Sequence, residues 1–336
     1  MQVRTAQVTD WARIEHLYNE GVALAPVGNG NAHPIRLWQM VTRTLSSLLP
    51  LATPSEMLYV LEDDGRVEGF IQGEILTPGG TRVGRGPEAV RVLNLALAPD
   101  RGAAGGGLLI DHLCNQALAR GVARIYVRVP EGQAVSESFK AQGFQRYAQD
   151  RVLYREDLEG VASPEAPAGL RPARRQDRMG LFTLYLASTP RAVSQLEAPD
   201  LPQWRALYET EWLDRFGRRP AASLVVDRGE VVAWLGVEPG PAGRPHTLAF
   251  AVRAGAADGG DLHAALLGEA VRRLESQPGA VWANLRNYDT LGARVLQEAG
   301  FTALAGQDLL VREMRARLPE RSRAAKKEKV LAPVFG

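Results

Sequence analysis

The chain has 336 residues, 45% of them hydrophobic and 23% charged, with a formal net charge of +2. That length holds about two domains of ordinary size, and the composition is that of a globular chain rather than a fibrous or disordered one. A charge so near zero selects neither nucleic acid nor a membrane surface as a partner; Cys114, the single cysteine, excludes an internal disulfide.

No run of about 18 apolar residues occurs, and residues 1–21 lack the apolar core of an export signal, so a cytoplasmic location without a membrane span is expected. Lys140, Lys326, Lys327 and Lys329 are the only lysines. With 34 glycines and 21 prolines, that arginine bias has the look of a GC-rich bacterial coding sequence.

In chain order, Asp10 stands at an N-cap position before Trp11, Ile14, Leu17 and Tyr18, which share one helical face. Pro34 to Leu49 reads as a second helix. Leu58–Leu61 and Val67–Leu76 flank Asp63-Asp64-Gly65-Arg66, a hairpin turn. Val90 to Leu97 is an apolar strand broken by Pro99-Asp100. The glycine-rich run Arg101-Gly102-Ala103-Ala104-Gly105-Gly106-Gly107 follows it, then an amphipathic helix from Leu108 to Arg120 and a strand from Ala123 to Val129. A short helix ends at Gly143-Phe144. A strand feeding a glycine-rich turn that opens a helix is suited to an anion, because the first helical N–H groups have no partner within the helix.

The chain repeats this order. Val3-Arg4-Thr5-Ala6 with Asp10 matches Leu170-Arg171-Pro172-Ala173 with Asp177, the hairpin around Gly65 matches one around Gly229, Leu109-Ile110 matches Leu266-Leu267, and Gly143-Phe144 matches Gly300-Phe301. The offset falls steadily from 167 residues at the first match to 157 at the last, as indels between two copies would make it. Residues 158–168, with Pro164 and Pro167, read as a linker. Trp204, Tyr208 and Trp212 share one helical face and read as packing rather than a substrate cage. Residues 316–336 form a basic tail, with nucleic acid an unfavoured partner.

Five histidines, His16, His33, His112, His246 and His263, show no metal-ligand spacing, so no metal site is expected. No Gly-Lys-Ser/Thr follows the glycine turn, and the turn does not follow the first strand of a βαβ unit, so neither a nucleotide-kinase loop nor a dinucleotide fingerprint is present. Cys114 lacks an arguable histidine partner and reads as a packed thiol.

These residues resemble the GCN5-related N-acetyltransferase superfamily, twice over, across residues 1–157 and again across 169–315. The resemblance implies an α/β fold of two tandem domains, each a mixed, mostly antiparallel sheet flanked by helices, using acetyl-CoA as co-substrate. It implies that the strand holding Leu95, Ala96 and Leu97 offers its backbone to pantetheine. The turn from Arg101 through Gly102, Ala103, Ala104, Gly105, Gly106 and Gly107 would then hold the pyrophosphate. Ala104 stands where the family pattern has glycine.

The family's acidic tyrosine, four residues before Gly-Phe, is replaced by Phe139 and by Leu296. Ser138 and Tyr126, with Ser136, are the nearby substitutes, and Glu88 and Glu74 are the candidate bases for an ammonium acceptor. In the second copy Asp258 and Asp261 fall on the turn, so that half is expected to bind CoA poorly and to shape the acceptor pocket. Asn284, Asn287, Tyr288 and Asp289 read as a hydrogen-bonded loop that also offers a polar pocket lining. The function so implied is direct acetyl transfer to an amine. The alternative is a non-catalytic CoA- or small-molecule-binding sensor. Antibiotics, polyamines, amino acids, small thiol precursors and protein N-termini all stay open as acceptors, and the oligomeric state stays open too.

Overall fold

The computed structural model describes residues 1–20, 56–76, 89–99, 101–212, 222–240, 244–256 and 258–314. The helix expected at Pro34–Leu49, the candidate base Glu88 and the basic tail lie outside them.

The first half runs β1 (Gln2–Thr5), α1 (Trp11–Glu20), β2 (Glu56–Asp63), β3 (Arg66–Leu76), β4 (Ala89–Leu97), α2 (Gly102–Ala119), β5 (Arg124–Pro130), α3 (Ala134–Ala141) and β6 (Gln145–Arg155). The second runs β7 (Leu170–Pro172), α4 (Arg178–Ser188), α5 (Arg191–Glu197), α6 (Leu201–Trp212), β8 (Ala222–Asp227), β9 (Val231–Glu238), β10 (His246–Val252), α7 (Gly259–Leu274), β11 (Val281–Arg286), α8 (Thr290–Glu298) and β12 (Thr302–Glu313). The β2–β3 hairpin closes on Asp64 and Gly65 at φ 47° and 74°, the pair of positive φ values that a two-residue turn of matching twist requires.

Arg4 and Asp10 show why the sequence repeats. Arg4 donates to both carboxylate oxygens of Asp10, at 2.7 and 2.9 Å, and Arg171 does the same to Asp177, at 2.7 and 2.8 Å. Each aspartate also accepts a backbone N–H three residues before it, from Gln7 or Arg174. Asp10 therefore closes the short 3₁₀ turn at Val8–Asp10 and ties it to β1, instead of capping α1. The short edge strands β1 and β7, which periodicity does not reveal, are what these clamps hold.

The two halves share one twelve-stranded sheet, in the order β1-β2-β3-β4-β5-β12-β6-β11-β10-β9-β8-β7. The last strand of each half has crossed to the other. β12 lies antiparallel between β5 and β6, and β6 lies antiparallel between β12 and β11. Five buried apolar clusters cover this sheet. One gathers under α2 around Leu109, Leu113 and Ile125, and another under α7 around Leu266, Val281 and Leu296.

Candidate active site

In the first half β4 and β5 pair in parallel only from Ala89–Val92 with Arg124–Val127. Beyond an irregularity opposite Gln72 and Gly73, Leu95, Ala96 and Leu97 bond to β3 alone. The strands therefore splay, but side chains fill the gap: Leu95, Val127, Val129 and Phe139 are each 2% exposed or less and belong to one cluster. Phe139 meets Phe144 edge-on at 5.1 Å between ring centroids.

The glycine run is helix rather than loop. α2 begins at Gly102, with φ +45°, instead of at Leu108. Gly105 already donates its N–H to the Arg101 carbonyl, and Gly106 and Gly107 lie inside the helix. Of the expected donors only Gly102, Ala103 and Ala104 precede that first helical bond. A Cβ on Gly105 would come within 3.0 Å of Leu61, and one on Gly106 would touch Leu97 and Ser138. The small residues here allow α2 to settle on the strands. Arg101 is drawn to Asp63, at 2.9 Å.

The candidate acids and bases scatter. Tyr126 turns its hydroxyl to the Leu196 and Glu197 carbonyls, at 2.8 and 3.2 Å, and burial pushes its pKa up to about 12. Ser136 and Ser138 are both buried on α3. Glu74 stands on β3 opposite Arg91. Cys114 is a buried core thiol whose pKa burial raises to about 11.

The second half has a cleft at its own splay. β10 and β11 pair only from His246–Ala249 with Val281–Asn284. Phe250, Ala251 and Val252 then bond to β9 alone, and Leu285 and Arg286 to β6. Through this opening runs a cleft of about 520 Å³, from Gly255 and Gly259 at the start of α7 to Asn284, Arg286 and Tyr208 on the opposite face. At the α7 end, Gly259 N–H bonds to Ala256 and Leu262 N–H to Asp258. The amides of Gly260 and Asp261 also lie in that first turn, where N–H groups ordinarily lack a partner within the helix. A Cβ on Gly260 would meet only Arg294, at 3.7 Å, so there is room above them.

Of the two carboxylates at this turn, Asp258 has a cationic partner, while Asp261 stands in the first turn of α7. Arg228, on the β8–β9 turn, donates to Asp258 at 2.7 Å and holds its carboxyl below the usual range. Arg101 and Asp258 occupy matching places in the repeat, so one hairpin-to-helix ion pair persists in both halves with its polarity reversed. The arginine beside the second turn comes from the hairpin.

Nearby, His263 sets Nδ1 2.7 Å from the Gly259 carbonyl and Nε2 3.2 Å from Asp289. Asp289 also caps α8 through Gly292 N–H, at 2.9 Å. Asn284, Tyr288 and Asp289 line the cleft, so this segment is both a bonded loop and part of the site.

The other end of the cleft is a chamber between the sheet and helices α4 and α6, with α5 behind it. Behind its wall, against the lining residues Tyr185 and Arg286, lies Glu197, 3% exposed. This carboxylate accepts Tyr147 Oη at 3.0 Å, Tyr185 Oη at 3.1 Å and Arg286 Nη2 at 2.6 Å. Arg286 also donates to Tyr208 Oη at 2.9 Å and pairs with Asp150 at 3.2 Å. Burial acts to raise the Glu197 pKa, but the Arg286 charge and the donated hydrogen bonds outweigh it and hold the group below its ordinary value. Burial raises Tyr147, Tyr185, Tyr208 and Tyr288, so all four stay protonated near neutral pH. They serve as hydrogen-bond donors and not as bases. Trp204 is core, whereas Tyr208 and Trp212 are both buried and part of the cleft wall.

No family model matches the sequence, and no curated protein matches it. Solved structures do. A tandem GCN5-related N-acetyltransferase from the clavulanic acid biosynthesis pathway superposes over 93% of this chain and 98% of its own, with TM-score 0.54 at 19% identity. The fold is that of a tandem GCN5-related N-acetyltransferase. A second such N-acetyltransferase, from Sphaerobacter thermophilus, matches over 93% of this chain and 95% of its own, with TM-score 0.52 at 15% identity. The Saccharomyces cerevisiae N-myristoyltransferase, with bound myristoyl-CoA, matches over 94% and 79%, with TM-score 0.51 at 12% identity. This acetyltransferase-like fold supplies the two splays described above, and among the described residues the polar chamber lies at the second.

Glu197, Arg286, Tyr147 and Tyr185 carry no motif and are missed by sequence reasoning. The one available signal was the polar run Asn284 to Asp289 directly after a strand.

Proposed function

We propose that the chain is an acyl-CoA-dependent N-acyltransferase whose working cleft lies in the second half, with acetyl-CoA as donor and an amine as acceptor. The observation that carries this reading is the continuous opening between β10 and β11, from the α7 N-terminus to the tyrosine-lined chamber.

The residues fit such a donor. The unpaired edge of Phe250–Val252 offers N–H and C=O groups to the pantetheine arm. Gly260 and Asp261 N–H, with Arg228 beside them, suit a pyrophosphate. The donor supplies an acyl group already activated as a thioester. The chamber orients a neutral amine toward it, and holding the two within about 3–3.5 Å is a large part of the catalysis such a site gives. Tyr288, protonated and in the cleft wall, replaces the missing acid at Leu296 as donor to the departing sulfur.

Glu74 does not fit the role of base in this cleft. It sits on β3, five strand spacings, or about 24 Å, from β11.

Calorimetry with acetyl-CoA tests the reading. Arg228→Gln is expected to weaken binding about ten-fold or more, the loss of one charge-assisted contact, whereas Arg101→Gln is expected to change it less than about two-fold. The reverse pattern would move the site to the first half, and no binding at millimolar ligand would end the proposal. A second reading, a CoA-responsive binding module, is favoured by the buried apolar Phe139 and Leu296 at both acid positions. Binding without thiol release across a panel of amines would establish it.

A further inference from the structure

The cleft extends well beyond the space that a small amine needs. Its far wall is Arg91 on β4, in the first half, under Leu207 of α6. Four strand spacings separate β4 from β11 in the sheet, about 19 Å.

Among the described side chains, that wall carries more positive charge than negative. Arg91, Arg128 and Arg286 line the chamber. The carboxylates paired with them are Asp150, shared by Arg128 at 3.6 Å and Arg286 at 3.2 Å, and Glu197 on Arg286. Arg91 donates one bond to the Leu207 carbonyl, at 3.2 Å, and forms no ion pair with a described carboxylate. Glu74 faces it across the β3–β4 register without pairing and lies outside the lining. Glu238 lines the opposite end, on β9. Nη1 of Arg286 is buried with no partner. A buried donor left unbonded is costly and points to a group that arrives.

Resting on the transferase reading of the same cleft, we infer that the acceptor is an elongated amine with a carboxylate at its far end, received by Arg91. A guanidinium matches a carboxylate in shape and charge. One surplus positive charge matches a carboxylate better than a phosphate monoester, which brings about −1.5 to −2. With the arginine side chain reaching about 6 Å inward, at least about 13 Å remains across the strands between carboxylate and amine. An extended peptide needs about four residues or more to cover that.

The test is thiol release from acetyl-CoA with glycine, diglycine, triglycine and tetraglycine, each as the free acid and as the C-terminal amide. Expected is a kcat/KM that climbs with length through tetraglycine, with acid over amide by about ten-fold or more at the best length. In Arg91→Gln that acid-to-amide ratio is expected to fall to about two or below, carried by KM, with Arg91→Lys in between. Glycine performing as well as tetraglycine, or acid and amide performing alike in the unaltered protein, overturns the inference. Should no acceptor release thiol, the transferase reading falls, and calorimetry of tetraglycine against its amide decides this inference separately. Preference for the acid that Arg91→Gln abolishes supports it, and equal or absent binding refutes it. Aminoethylphosphonate-capped peptides binding better than the acids would likewise refute the carboxylate assignment.

Discussion

Glu197 gathers hydrogen bonds from both halves of the chain, through Tyr147 on β6 and through Tyr185 and Arg286 from the second half. A buried charge with its partners removed is expensive. Glu197→Ala, which leaves Arg286 in place, is therefore expected to lower stability by about 3–5 kcal/mol, read from the urea midpoint. The acid limb of stability follows from the same groups. Asp10, Asp177, Glu197 and Asp289 all have carboxyls held below their reference values of 3.8 or 4.5. A carboxyl depressed by folding stabilises the native state above its unfolded pKa, and that contribution is lost as pH falls through the folded value. The urea midpoint should thus hold steady from neutral pH to about 5 and then drop below about 4. An Asp177→Asn variant should show a shallower drop, and a midpoint unchanged down to pH 3 would contradict the assignment. In the proposed reaction the proton donor to the departing sulfur is the Tyr288 hydroxyl. Tyr288→Phe is expected to reduce kcat by about 10²-fold or more while leaving the affinity for acetyl-CoA within about two-fold.

At the scale of elements, the two glycine-rich helix starts look alike in sequence and do different work. Gly105 is wedged under Leu61, so Gly105→Val is expected to overpack α2 and cost about 1–3 kcal/mol. Gly260 has open space among the described residues, so Gly260→Ala should raise the melting temperature, a gain of about 0.4–1 kcal/mol, while weakening acetyl-CoA binding if the proposed site lies over these amides. Thermal denaturation alongside calorimetry separates the two effects. This contrast marks how far the sequence could be read. The repeat, the hairpins and the strand–helix order were legible because apolar periodicity and turn residues act locally. Whether a splay is filled or open depends on side chains brought from distant elements, such as Phe139 against Phe144, and no local pattern encodes that. The ion pair Arg228–Asp258 was unreadable for the same reason. Asp258 looked hostile to an anion because its partner lies thirty residues earlier, on a hairpin. Glu197 and Arg286 are invisible until α5 and β11 meet, whereas Leu95 to Leu97 were correctly placed on β4 but in the half whose cleft is packed.

For the whole molecule, the traded strands decide what can exist alone. Residues 1–168 would keep β5 and β6 but lose β12 from between them and β11 beyond, leaving the edge of β5 bare and β6 without a neighbour over an apolar layer. Expressed by itself, this piece is expected to aggregate or self-associate, and mixing it during refolding with residues 169–336 should restore a one-to-one complex with a native circular dichroism spectrum. A monodisperse, cooperatively folded N-terminal piece would refute that. The covalent join also has meaning of its own. A single ancestral copy could complete its sheet only by borrowing the terminal strand of a twin and lending its own, an obligate two-fold homodimer that dissociates on dilution. The peptide at 158–168 ties the twins into one molecule, so the loan is settled at a local concentration on the order of millimolar, whatever the abundance of the protein. Without the need for symmetry the two copies are free to differ at their splays, and Phe139 stands in one where Leu296 stands in the other.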